Sequence, residues 1–310
     1  MNNNEPEVPL RAIPFVMAAV CAQAASGDGI YRDAGASAFQ FLKIEVSARA
    51  AALGGTVLFN SGPLSGFSCP SGLAHLDGAS ISASHASYFG SASQNTASIT
   101  ASSGGLRFSA GLNALSAGGL EYRGDEPAAE PLGTFDYLDL ALSGAVASSS
   151  GPFDAGLGAK LLHEEIWETD EWGFSFDASA AVHPLPWLDA GIAAQNIGPS
   201  ADFGSRPGYR MPMTWRAGVS TRAGLPWAGP AALTFEACKP IDNEMTGGAG
   251  LELSPAAWLD LRGGYRFGSD SQDFTAGIGL AAGGWSLDYA WIPGAMSLGD
   301  VHRIVLTTGI

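Results

Sequence analysis

The sequence predicts an all-β fold: a transmembrane antiparallel β-barrel of about 14 strands, with a short N-terminal helical plug segment. Three observations lead there. Between residues 81 and 310, segments of about ten residues alternate apolar and polar side chains, each ending in a Gly, Pro, Ser or Asp cluster. No segment after the N-terminal stretch has the unbroken apolar run of roughly eighteen or more residues that a membrane helix needs. The connections between segments alternate between tight and long. Such alternation suits a wall with lipid outside and a polar lumen inside, and hydrocarbon tolerates only a sheet closed on itself.

Composition agrees. The 310 residues include 42 glycines, and charged residues make up 15%. The net charge of −15 excludes nucleic acid as a partner, because nothing neutralises phosphates. Low charge with moderate hydrophobicity also suits a soluble all-β protein, so the pattern, not the composition, decides.

Residues 1–24 read as a secretory signal peptide. Arg11 precedes an apolar run over 12–21, and Ala22, Gln23 and Ala24 form a small-x-small cleavage site. Glu5 and Glu7 are unusual in such a leader. Cys69 and Cys238 remain after cleavage, as a disulfide or as two separate thiols. Residues 25–80 form the N-terminal plug or lumen segment, too short for a core of its own. Leu42, Val46, Arg49 and Leu53 recur at helical spacing, and Gly54 and Gly55 stop the helix. A strand-like piece over 56–59 and a turn-rich stretch over 69–74 follow.

Residues 81–310 form the barrel. The predicted strands are 81–89, 95–102, 105–115, 136–148, 153–165, 172–183, 186–197, 214–223, 230–240, 245–254, 257–267, 273–282, 284–291 and 301–310. Tight turns at 102–105, 149–152, 183–186, 254–257 and 282–285 alternate with long loops at 116–135, 196–212 and 293–301. Short turns suit the periplasmic side and long loops the exterior, so an even strand number puts both termini in the periplasm. Strand parity assigns inward charges of both signs: Arg107, Lys160, Arg216, Arg222, Arg262, Arg266 and Arg303, against Asp139, Asp154, Asp177, Asp189, Glu236, Glu252, Asp260 and Asp288. This balance suggests a cross-braced interior, since a strongly selective pore favours one sign. The excess acid falls in loops at 121–130 and 164–171. Tryptophans near strand ends suggest two aromatic girdles, although Trp187 and Trp258 carry lumen parity.

No catalytic chemistry emerges, and the expectation is a non-enzyme without cofactor or metal. The acidic stretch around His163 and Glu164 reads as a solvated loop rather than a Ca²⁺ site. His75, His85, His183 and His302 share no ligand spacing. There is no nucleophile elbow and no phosphate loop.

Two N-terminal motifs carry a resemblance. Ser37-Ala-Phe-Gln-Phe-Leu-Lys-Ile44 with Ala48-Arg-Ala-Ala-Ala-Leu-Gly-Gly55, and Cys69-Pro-Ser-Gly-Leu-Ala74, resemble the opening signatures of the PorV/PorQ family. Gln195-Asn-Ile-Gly-Pro199, Met211-Pro-Met-Thr-Trp-Arg-Ala-Gly218 and the ending from Asp288 to Thr307 add weaker matches. Cys69 stands where the family has Asn, and Ile310 where a terminal aromatic is usual. The resemblance implies a barrel similar to fatty-acid transporters of the FadL type, with Gln40, Phe41, Leu42, Lys43, Arg49, Gly54 and Gly55 in its plug motif. It implies a barrel in outer-membrane lipid that binds or shuttles secreted proteins with C-terminal sorting domains, alongside type IX secretion components. The alternatives are a FadL-like transporter of long-chain fatty acids or other hydrophobic small molecules, and a structural barrel without cargo. Within the lumen, Lys43, Glu45 and Arg49 would pair with wall charges such as Asp260, Glu252 or Arg262, because buried charges need partners. The long loops would form a partner-binding rim.

Overall fold

A computed structural model describes residues 34–88, 91–124, 129–203, 206–269, 273–294 and 299–310. The proposed leader lies outside the described residues. Fourteen antiparallel strands close into one barrel. They are β1 (Ala79–Ser87), β2 (Ala92–Ser103), β3 (Leu106–Tyr122), β4 (Gly133–Ser150), β5 (Phe153–Ile166), β6 (Thr169–Leu185), β7 (Leu188–Ile197), β10 (Thr214–Leu225), β11 (Gly229–Pro240), β12 (Thr246–Ala256), β13 (Leu259–Phe267), β14 (Phe274–Ala282), β15 (Trp285–Ile292) and β16 (Val301–Gly309). Two further strands, β8 (Ala201–Phe203) and β9 (Arg206–Tyr209), pair with each other in the connection between β7 and β10. Closure runs through β1 and β16, paired from Ser80 opposite Gly309 to Ser87 opposite His302.

The wall follows the period-two pattern of the sequence. In β5, Phe153, Leu157 and Leu161 point out and are half exposed, while Asp154 and Lys160 point in and are buried. Ile99, Phe174, Ile192, Leu261 and Ile304 continue the outer belt. Trp227, Trp258 and Trp285 lie exposed by short turns, and Trp167, Trp172 and Trp215 by the opposite rim. Such a belt flanked by aromatic residues is the surface of a transmembrane barrel. Trp258 sits in a turn and faces out, so its strand parity does not apply.

Four expectations need correction. The strands β3 and β4 extend well beyond their predicted ends, and only residues 123–132 connect them. A bulge between Ala117 and Leu120 breaks the alternation there while pairing continues. The acidic stretch 164–171 is likewise no loop. Glu164 and Glu165 pair with Glu171 and Asp170 across a tight hairpin. In the N-terminal segment, the helix α1 is only Ala48–Ala52, not the twelve residues over 42–53 that its periodicity suggests. Ser47 caps it by accepting the Ala50 N–H. The Glu45 carboxylate accepts the Val46 and Ser47 N–H groups, both at 2.9 Å, which holds the preceding turn open. The piece at 56–59 forms no strand, since Val57 and Leu58 donate their N–H groups to a side chain instead.

Candidate functional site

Residues 34–78 lie inside the barrel and pass from the rim of longer connections to the rim of short turns. At the first rim, Ala38 N–H donates to the Arg210 carbonyl at 2.9 Å. Asp242, in the turn between β11 and β12, gathers this end of the segment. Its Oδ2 accepts from Ser37 Oγ (2.5 Å), Gln40 Nε2 (2.9 Å) and Lys43 Nζ (2.9 Å). Burial alone raises the Asp242 pKa, but these donors outweigh it and lower it to about 2. Phe41 is buried beside Phe39, Leu162 and Met211, and Phe203 and Tyr209 of the small β8–β9 sheet pack over this cluster. Lys43 therefore pairs with a turn carboxylate, not with the wall charges expected of it.

Deeper down, Arg49 forms a two-pronged pair with Glu252 on β12. Nε reaches Oε2 at 2.8 Å and Nη2 reaches Oε1 at 2.9 Å, and Nη1 donates to the Phe59 carbonyl at 3.0 Å. Burial opposes the charge on Arg49, yet the Glu252 hydrogen bonds and charge raise its pKa overall. Arg262 shares Glu252 at 2.6 Å and also contacts Asp260 (3.1 Å) and Asp288. The chain then turns at Gly54 (φ 73°) and Gly55 (φ 77°). A Cβ on Gly54 would lie 2.7 Å from the Tyr265 carbonyl oxygen and 2.8 Å from that of Ala249. A Cβ on Gly264 would in turn strike Gly54 N, so each glycine makes room for the other.

Other inward charges grip the same segment. Glu236 accepts the Val57 and Leu58 N–H groups at 2.8 and 2.9 Å and the Arg216 guanidinium at 2.5 Å. Arg303 donates to the Val46 carbonyl (3.3 Å), Tyr88 Oη (2.8 Å) and Gln94 Oε1 (2.7 Å). Arg107 donates to the Leu76 carbonyl at 3.1 Å by the short-turn rim. Lys160 and Asp177 form a fully buried pair at 2.8 Å. Asn196 completes it, accepting from Lys160 and donating its N–H to Asp177, both at 2.8 Å. A bulge in β7 turns Asn196 inward beside Gln195. Asp139 takes the Tyr137 hydroxyl, and Arg222 pairs with Asp189. Cys69 is buried and its pKa is raised by burial, while Cys238 stands apart, and both are free thiols.

Two groupings were not visible in the sequence. Asp242 sits in a turn, where strand parity gives no signal. His75, Asp154 and His183, which share no sequence spacing, come together by the short-turn rim with their ligand atoms within 4.8 Å of one another.

A cavity of about 580 Å³ remains between the segment and the β10–β16 side of the wall. It reaches from Asn243 and Ser269 at the rim of longer connections down to Gly54 and Arg216. Leu42, Ile44, Ala51, Ile292 and Val301 make one part of its lining apolar. Glu45, Glu236 and three guanidinium groups, Arg216, Arg266 and Arg303, make the other polar. Burial raises the Glu45 pKa, against hydrogen bonds from Ser47 and Val46 and the charges of Arg216 and Arg303.

A closed fourteen-stranded transmembrane barrel with an occupied lumen and a cavity at one mouth defines a structural class. Among solved structures, the chain is similar to the toluene transporter TodX of Pseudomonas putida, with 12% identity over 86% of this chain and 97% of that one (TM-score 0.63). It is similar also to the CymD monoaromatic hydrocarbon channel, with 12% identity over 88% and 99% of the two chains (TM-score 0.61). At this identity the likeness is one of fold. No family model matches the chain, and no curated protein matches it by sequence.

Proposed function

We propose that this chain is an outer-membrane transport barrel for small amphiphilic molecules, with residues 34–78 as its plug. The observation that carries this reading is the two-sided cavity, apolar along Leu42, Ile44 and Ile292 and charged where Arg216, Arg266 and Arg303 meet Glu45 and Glu236. It suits a molecule with a hydrocarbon body and a polar head. The barrels of like fold named above are hydrocarbon transporters, which supports the hydrophobic half of the reading. The rim of longer connections is then the outer face, and the short-turn rim, where β1 begins and β16 ends, is the periplasmic one.

The test is uptake of labelled monocarboxylates and of neutral monoaromatic hydrocarbons into proteoliposomes. Intact barrel transports the monocarboxylates, and Asn243→Trp, which fills the cavity mouth, abolishes this while the barrel stays folded. Equal transport by both proteins, or transport of neutral hydrocarbon alone, contradicts the proposal.

A role with secreted proteins and type IX components rests on the motif resemblance at 37–55 and 69–74. Mass spectrometry of barrel purified gently from its own membrane separates the two readings. Co-purifying proteins that share a C-terminal domain favour secretion, and a bound mass of a few hundred daltons favours small-molecule transport.

A further inference from the structure

Three side chains from distant parts of the sequence converge by the short-turn rim. His75 ends the luminal segment, Asp154 opens β5, and His183 lies near the end of β6. His75 Nε2 and His183 Nε2 each lie 2.7 Å from Asp154 Oδ2. The two imidazole rings meet edge to face with centroids 5.7 Å apart. The fourth participant is Asp189 on β7, which accepts the His183 Nδ1–H at 2.6 Å and is itself held by Arg222.

We propose that His75, Asp154 and His183 bind a borderline transition-metal cation, Zn²⁺ in the first instance, and that the metal clasps the plug to the wall. The chemistry of the donor set is the first argument. Two imidazole nitrogens and one carboxylate oxygen suit Zn²⁺, whereas Ca²⁺ and Mg²⁺ prefer oxygen alone. Orientation is the second. Asp189 fixes the proton of His183 on Nδ1 and so turns the Nε2 lone pair towards Asp154, the carboxylate–histidine arrangement that supports metal ligands. Accessibility is the third. The Asp154 side chain is 4% exposed and that of His75 61%, so one ligand is rigid and the open side admits the ion and a water. Asp154 Oδ1 has no hydrogen-bond partner among the described residues. Without a metal, both rings must donate to the same Oδ2. A tetrahedral ion with bonds of about 2.0–2.1 Å needs the ligand atoms about 3.3 Å apart, so both His75 and His183 must draw back by about 0.6 Å from Asp154 Oδ2.

The consequence is mechanical. His75 follows the last turn of the luminal segment, and Asp154 and His183 belong to neighbouring wall strands. A bound ion joins the end of the plug to the wall where transported molecules would leave.

The test uses the full-length barrel, untagged, in detergent, with Zn²⁺ for stoichiometry and Co²⁺ as the spectroscopic probe. One Zn²⁺ per chain is expected, and Co²⁺ should give the visible absorption of a site with fewer than six ligands. His75→Gln and His183→Gln should each weaken binding by at least about tenfold, and Asp189→Asn by about ten- to a hundredfold. His302→Gln, on the opposite rim, should leave it unchanged. Zn²⁺ should also slow backbone hydrogen exchange over 70–78 in the native chain and not in His75→Gln. His75 is exposed, so its substitution keeps the test informative even where His183→Gln does not fold. Absence of stoichiometric binding, or binding indifferent to His75→Gln, overturns the proposal.

Discussion

At the scale of the residue, the lumen is held by charges that share partners. Glu252 serves both Arg49 and Arg262, so the two arginines are unequal to lose. Arg49→Met leaves Glu252 still paired with Arg262 and should cost about 1.5–3 kcal/mol, the worth of hydrogen bonds to a charged group. Glu252→Ala takes the carboxylate from Arg49 and one of three from Arg262, and should cost more, about 3–5 kcal/mol. Denaturant unfolding in detergent, followed by protease cleavage within 34–78, checks the order. Asp242 gives a pH signature at the rim of longer connections. Its folded pKa of about 2 lies below the ordinary 3.8, so the stability it adds is complete above that ordinary value. It is lost as pH falls from 3.8 towards about 2. Cleavage of the 34–43 stretch by an acid-active protease should therefore rise across that window, and Asp242→Asn should remove the pH step. Arg49 and Glu252 could be found in the sequence because each stands on a periodic element. Asp242 could not, because a turn residue carries no parity and its partners lie about two hundred positions away.

At the scale of the element, alternation made every wall strand legible, and the failures mark places where alternation and pairing part company. The bulge at 117–120 shifts parity by one residue, so the ends of β3 and β4 at the rim of longer connections read as loop though they remain paired. The bulge in β7 does the same and hides Asn196, whose side chain completes the buried Lys160–Asp177 pair. Helical spacing over 42–53 overstated α1, because Ser47 and the Glu45 carboxylate divert the backbone before the first turn. The Gly54–Gly55 turn was readable from its residue types, but its reason is contact as well as conformation. Gly54→Ala meets the Tyr265 and Ala249 carbonyl oxygens in addition to a left-handed φ. It should destabilise the folded barrel by more than the roughly 1–2 kcal/mol of the backbone conformation alone. Gly35→Ala, also at positive φ but with open space around it, should cost only that smaller amount. Parallel unfolding curves of the two variants test the difference.

At the scale of the whole molecule, the balanced lumen charge has a structural explanation. The charges of β10–β16 face the luminal segment and one another, and they border a cavity at the rim of longer connections. The fold could be read from the sequence because its two faces meet two solvents. The ligand of the cavity could not, since it depends on Leu42, Arg216, Arg266 and Arg303 meeting across the closed barrel. Cys238 lines that cavity and Cys69 lies buried within the luminal segment. A bulky thiol reagent added from outside should modify Cys238 and block uptake while Cys69 stays unreacted, as mass spectrometry of peptides can show. The most direct test of the account is conductance in planar bilayers of the intact barrel against a variant lacking residues 36–74, each first verified as a folded barrel by heat-modifiable migration. The intact chain should show little steady conductance, and the variant a stable open channel. Equal conductance from the two would contradict a plug in the lumen.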